Sequence, residues 1–443
     1  MTADSTRLLG AALLLALYLM LCSAVWWRHR RKPVNAGASD WIVAFASQTG
    51  SAEYLARNSA GLLETAGLSV HCCELTDLDD AALAAAERIL FVVSTFGEGD
   101  PPDSAAAFLL RMNSPAAFPN VHYAVLALGD QTYQHYCGFG RDLDNWLAAS
   151  GAHRLFDRVE VDRNDAAAVA HWQEHLCHLS GASDPGAWEE TPFAAWRIEA
   201  REELNPGSAG APVCRIRLVP AEGALPDWHS GDLVQLGVPE EPGLPREYSI
   251  ASIPQEGAIE LLVRLHARTD GSMGIGSGWL CRRADVGSTV QLRLREHKRF
   301  RLEGNAERPL ILIGNGTGMA GLRAHLAARA VAAQGYNWLL FGERNEASDF
   351  HFRADVQRWL EQGALARCDA VFSRDQAAKR YVQHVLDESS AEIRAWVEKG
   401  AAIYVCGSLQ TMAADVHRSL AAILGTAALE KLAAEGRYRR DVY

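Results

Sequence analysis

Three short stretches of this chain set hydroxyls, glycines and aromatic rings at spacings that suit a phosphorylated, planar ligand. Ser47-Gln48-Thr49-Gly50-Ser51 offers three hydroxyls and a run of backbone N–H groups just before an apolar-periodic segment. That arrangement suits a phosphate dianion at a helix N-terminus. No Gly-Lys-Ser/Thr occurs in the chain, so the lysine and Mg²⁺ grip of a nucleoside-triphosphate loop is missing. The second stretch, STFGEGDPPDSA (94–105), supplies Thr95, Phe96, Gly97, Glu98, Gly99 and Asp100. The third, LGDQTYQHYCGFG (128–140), supplies Gly129, Asp130 and Tyr133. Singly, each is an ordinary helix cap or solvated turn. Together they read as an FMN site, with the isoalloxazine between Phe96 and Tyr133. Glu98, Asp100 and Asp130 would disfavour an anionic reduced ring and so lower its potential.

Farther on, REYSIAS (246–252) combines a guanidinium with strand hydroxyls. The first can neutralise phosphate oxygens bidentately, and the second can hydrogen-bond an atom that accepts hydride. LIGNGTGMAGLRAHL (312–326) closes an apolar run on glycines and opens a helical pattern, a turn suited to a dinucleotide pyrophosphate.

These loops need elements to hold them. WIVAF (41–45), RILFVVS (88–94) and YAVLALG (123–129) are buried-strand patterns, and Ala52–Ala66 is helix-periodic. Strand, loop and helix in repetition predict a parallel, doubly wound sheet with ligands at its carboxyl edge. After a Gly/Pro-rich linker at 181–192, the short runs VCRIRLV, DLVQLGV, YSIAS, IELLVRLH and TVQLRLR predict a small antiparallel barrel. From residue 309 the strands LILIG, WLLFG and AIYVCG alternate with helices again. The expected class is therefore α/β plus β-barrel.

The 443 residues, 49% of them hydrophobic, suffice for more than one core. Nine cysteines without CxxC or a Cys/His ligand spacing read as reduced, cytosolic thiols, with no metal site. The net charge of −11 is concentrated: residues 40–180 hold 19 Asp/Glu against 7 Arg and no Lys. Such a surface argues against nucleic acid and is consistent with either a basic partner face or plain solubility. Leu8–Trp27 is an uncharged run long enough, at ~1.5 Å per residue, to span a ~30 Å hydrocarbon core. Arg28, Arg30, Arg31 and Lys32 follow it, which predicts a single-pass inner-membrane anchor with the rest of the chain on the cytoplasmic face.

The three N-terminal loops resemble those of the flavodoxin-like domain in NADPH-dependent diflavin reductases. That family includes NADPH–hemoprotein (cytochrome) reductases and the flavoprotein subunit of assimilatory sulfite reductase, and the stretch 128–165 resembles the latter in particular. The resemblance runs through nearly all of the remaining chain. It implies that REYSIAS is an FAD signature, with Arg246 on the pyrophosphate, Tyr248 on the ring, Ser249 near its N5 and Ser252 closing the motif. GSMGIGSGWL (271–280), through Gly276 and Ser277, would serve the same pyrophosphate, and Gly316, Thr317 and Gly318 that of NADPH. Ser373, Arg374, Lys379, Tyr381 and Gln383 fall where the family holds the 2′-phosphate; two cations and two hydroxyls around a dianion provide that discrimination. Cys406 and Asp441 would join Ser249 at the hydride centre, and the terminal Tyr443 would stack on the flavin until NADPH displaces it.

The chain departs from the family at Asn315 (usually proline) and at Ala320-Gly321 (usually Ala-Pro), changes expected to loosen the turn, and at Ser408 (commonly Asp). Only about 65 residues separate Ser180 from REYSIAS, too few for the helical connecting domain of larger members. The resulting layout is 1–32 anchor, 40–180 flavodoxin-like FMN domain, 193–304 ferredoxin-reductase-like FAD barrel and 305–443 NADP-binding α/β domain. The expected activity carries electrons from NADPH through FAD and FMN to a one-electron acceptor, a heme protein docking on the acidic domain. A sulfite reductase flavoprotein, a ferric-chelate reductase and a non-catalytic flavin-binding redox sensor are the alternatives.

Overall fold

The computed structural model describes residues 41–442 apart from 115, 164, 182–191, 269–270 and 409–411. β1 (Trp41–Ala46) is buried along its whole length because it is an interior strand. It runs parallel to β2 (Val70–Glu74) on one side and β3 (Arg88–Ser94) on the other. β4 (His122–Gly129) pairs with β3 and, on its far edge, with β5 (His153–Arg154) and β6 (Val159–Asp162). Buried on both faces, these strands read as unbroken apolar runs rather than alternating ones. Helices Ser51–Thr65 and Ala166–Ser180 cover one face, and Ala106–Met112 and Gly138–Ala149 the other. Trp172 is wholly buried on the first face, its indole N–H donating to Ser59 Oγ at 2.9 Å.

The second sheet is antiparallel: β7 (Ala194–Glu203), β8 (Val213–Pro220), β9 (Leu233–Val238), β10 (Glu241–Ser249), β11 (Ile259–Arg264) and β12 (Thr289–Arg295). Their order is β10-β9-β12-β7-β8-β11, and an Ile250–Leu261 bridge joins the two ends into a barrel. Inward-facing Trp196, Ile198, Ile216, Leu218, Val234 and Leu292 fill it.

The third sheet is parallel, in the order β15 (Arg367–Phe372), β14 (Asn337–Glu343), β13 (Leu310–Asn315), β16 (Ala402–Gly407), β17 (Tyr438–Val442). Apolar clusters pack on both of its faces. Arg323, 3% exposed on helix Met319–Val331, joins this sheet to the barrel. It donates to the Ala251 carbonyl, Glu256 and Asp355 at 2.8 Å each. Burial works against its charge, but the carboxylates of Glu256 and Asp355 outweigh that and hold its pKa above the ordinary arginine value.

The membrane expectation is corrected here. No helix among the described residues is long and apolar enough to cross a bilayer, so the single-pass placement is not carried forward. The run Leu8–Trp27 that suggested it lies outside the described residues.

Candidate active site

The turn after β1 is built around Ser47, whose buried hydroxyl accepts the N–H groups of Gly50 (2.9 Å) and Ala52 (3.3 Å). Gly50 sits at φ 91°, the left-handed region that favours glycine. Across from it, Phe96 and Asp100 exchange backbone hydrogen bonds (2.7 and 2.9 Å), folding the 94–100 loop into a tight hairpin. At Gly99, a side chain would bring its Cβ to 2.6 Å from His135 Cβ, so the second and third loops pack directly together. The Gln134 N–H donates to Glu98 (3.1 Å), and Asp130 accepts from the backbone (2.8 Å) and hydroxyl (2.6 Å) of Thr132. Phe96 and Tyr133 are both half-buried, and Phe96 packs against an apolar cluster of the third sheet. Burial, with Asp130 and Glu98 nearby, pushes the Tyr133 phenol above its usual range. Thr95 Oγ1 is buried without a hydrogen-bond partner. A serine-built turn, two half-buried rings on adjoining loops and an unspent hydroxyl are a donor set that fits FMN.

Two of the loop's side chains point elsewhere. Gln48 Nε2 donates to the Arg440 carbonyl (3.1 Å), and its Oε1 accepts from the Asp103 N–H (3.1 Å). Ser51 Oγ accepts from Arg295 (2.6 Å), which also donates to the Thr49 carbonyl (2.9 Å). The 47–51 turn is thus capped by the end of β12, a contact that nothing in the turn's own sequence signals.

A second centre forms where β10, β16 and β17 end. Ser249 Oγ donates to Asp441 Oδ2 at 2.7 Å, and Cys406 Sγ lies 3.6 Å from the same oxygen. All three residues are buried. Burial, and then the Asp441 carboxylate, push the Cys406 thiol well above its ordinary range, so it stays protonated. Beside them, a Cβ at Gly276 would meet Arg246 Cγ and Tyr248 Oη at 2.9 Å, so the glycine lets that turn lie against the REYSIAS strand. A guanidinium, a tyrosine ring and a glycine turn set side by side are residue types that fit FAD's pyrophosphate and ring. Ser252 is a correction: its hydroxyl donates to the Ala258 carbonyl (2.8 Å) and accepts the Glu260 N–H (2.9 Å), spending it inside the barrel. Ser277 Oγ accepts the His266 N–H (3.1 Å), fixing the 271–280 turn.

A cavity of about 600 Å³ opens along the carboxyl edge of the third sheet. Gly316, Thr317, Ser373, Arg374, Lys379, Tyr381 and Gln383 all line it. Gly318 lies just behind, so close to β16 that a Cβ there would come 2.1 Å from the Cys406 carbonyl oxygen. The turn is not loosened as expected, because Asn315 Oδ1 accepts the Ser408 N–H (3.1 Å) and fastens it to the loop after β16. Gly321 instead makes room for the Phe300 ring, which a Cβ would meet at 3.0 Å. Sequence reasoning missed Arg264, Glu343, Arg344 and Arg380 in the same cavity. Glu343 and Arg344 follow the WLLFG strand at its carboxyl end, a position that could have flagged them. Arg264 comes from the barrel and pairs with Glu343, a contact visible only after folding. Tyr443 lies outside the described residues.

Residues 43–172 match the flavodoxin family, and residues 312–418 match the oxidoreductase NAD-binding domain. Over nearly its full length the chain is similar to proteins named sulfite reductase [NADPH] flavoprotein alpha-component. That of Klebsiella pneumoniae is 30% identical, covering 90% of this chain and 89% of that protein. That of Bacillus subtilis is 27% identical, covering 93% and 90%, and that of Neisseria meningitidis serogroup C is 28% identical, covering 90% and 89%. The Bacillus alignment runs over 548 residues, more than this chain possesses, so that relative carries segments that are absent here.

Proposed function

The chain belongs to the NADPH-dependent diflavin reductase family, oxidoreductases that use FMN, FAD and NADPH, and from that premise we propose how its residues divide the work. Bound FAD and FMN supply the conversion of a two-electron hydride donor into single-electron deliveries. Arg374 and Lys379, with the hydroxyls of Ser373 and Tyr381, hold the 2′-phosphate and favour NADPH over NADH. Gly316–Gly318 let the pyrophosphate approach the N-terminus of helix Met319–Val331. Ser249, Cys406 and Asp441 form the hydride centre, where one carboxylate oxygen orients a hydroxyl and a protonated thiol. The turn at 47–51 takes the FMN phosphate, and Phe96 and Tyr133 flank its ring.

The observation that carries this reading is the Ser249–Asp441–Cys406 cluster, assembled from three strands and two sheets beside the nucleotide cavity. The acceptor is a separate redox protein, a heme protein by the chemistry of one-electron acceptance. The relatives' name, the flavoprotein component of an NADPH sulfite reductase, makes a sulfite-reducing partner the leading case. The test begins with flavins released from the purified protein, which are expected to be FMN and FAD in equal amounts. NADPH should bleach both, and NADH should do so only at far higher concentration. Sulfite-dependent NADPH consumption is then expected once a sulfite-reducing component is added. Bleaching without sulfite turnover would remove that partner and leave the reductase; no bleaching at all would remove the route itself.

A further inference from the structure

Strand alternation along β17 sends neighbouring side chains in opposite directions. Asp441, opposite Cys406 in the ladder, faces the hydride centre; Arg440, opposite Val405, faces the 40–180 unit. Arg440 Nε donates to both carboxylate oxygens of Asp103 (3.0 and 3.1 Å), and its Nη2 closes a further contact with the same group. The Arg440 carbonyl accepts from Gln48, which also accepts the Asp103 N–H, so two FMN loops converge on this one residue. The side chains of Arg440 and Asp103 are only 19% and 16% exposed, so salt screens them weakly. Burial works against the Arg440 charge, and the Asp103 carboxylate more than offsets it. Along the same seam Arg295 reaches Ser51, Lys298 pairs with Glu53 (3.2 Å) and Arg299 with Glu74 (3.0 Å). Every cation lies on the barrel or nucleotide side and every anion on the FMN side.

We propose that Arg440 is a positioning residue that ties the hydride centre to the FMN cradle through Asp103 and Gln48, fixing the docked geometry in which electrons pass between the two flavins. The proposal rests on the diflavin reading above. Holoenzyme variants are mixed with NADPH in a stopped-flow instrument. Arg440→Ala is expected to keep the first bleaching phase within about twofold and to slow electron redistribution between the flavins at least about tenfold. Arg440→Lys restores most of that rate, Asp103→Asn reproduces the loss, and the double variant is no slower than the singles. Hydrogen exchange gives a readout independent of turnover: the amides of Asp103 and Ala105 lose protection in Arg440→Ala and regain it in Arg440→Lys. Wild-type redistribution and unchanged protection in Arg440→Ala overturn the proposal. Equal slowing of both phases also overturns it, because Arg440 would then act within the hydride centre. If the unmodified protein fails to bleach with NADPH, the diflavin reading falls instead, and that control is seen first.

Discussion

Asp441 takes two donors on one carboxylate oxygen, and that economy sets what each partner can do. The Ser249 proton is committed to the carboxylate, leaving the hydroxyl only its lone pairs for any further partner. Cys406 stays a thiol, so it keeps its proton and does not become a nucleophile. Asp441→Asn keeps the shape but removes the charge that orders both groups. The first, hydride-driven bleaching phase should slow by about 10²-fold with flavin content unchanged, measured by stopped-flow absorbance. At this scale the sequence was informative about residue types: a lone cysteine, serine and aspartate gained meaning only from a known motif. Their shared oxygen was not legible, because it depends on three strand ends from two sheets. Ser252 shows the opposite failing, since a hydroxyl inside a recognised motif can be spent on the barrel's own backbone.

Among the elements, the long apolar strands were legible because burial on both faces leaves no room for polar residues. RILFVVS and AIYVCG match β3 and β16 residue for residue, and TVQLRLR matches β12 through its alternation of apolar and polar residues instead. β17, YRRDV, was not readable as a strand. It is an edge strand whose arginines and aspartate point into polar junctions, so its conformation comes from pairing with β16 and not from its own pattern. The tight turn after β13 is a second case where the element depends on its neighbour. Gly318→Ala would press a methyl group into the β16 backbone at the Cys406 carbonyl. It should cost about 1–3 kcal/mol of stability, read as a lower denaturant midpoint, and weaken NADPH binding as well.

Over the whole molecule, the acidic charge of residues 40–180 proved to be partly spent at home. The sequence suggested an external basic face, whereas Glu53, Glu74 and Asp103 meet cations of the same chain. No composition count could separate the two uses, since both need the same residues. The junction between barrel and third sheet carries its own acid sensitivity. His325, wholly buried, places Nδ1 3.0 Å from Ser230 Oγ, and burial pushes its pKa down to about 3. Its folded pKa lies below the unfolded value of 6.5, so the unfolded chain binds the extra proton first. Its contribution is fully present above pH ~6.5 and falls as pH drops toward ~3, by about 1 kcal/mol per unit. His325→Gln should flatten the melting temperature across that range, measured by calorimetry at stepped pH.

The Arg323 weld also tells an experimenter where this polypeptide can be divided. Cutting between barrel and nucleotide sheet would part Arg323 from Glu256 and the Ala251 carbonyl, leaving Asp355, on its own side of the cut, as its remaining carboxylate partner. A cut upstream, in the stretch before Phe193, would leave the Arg323 cluster whole and part Arg440 from Asp103 instead.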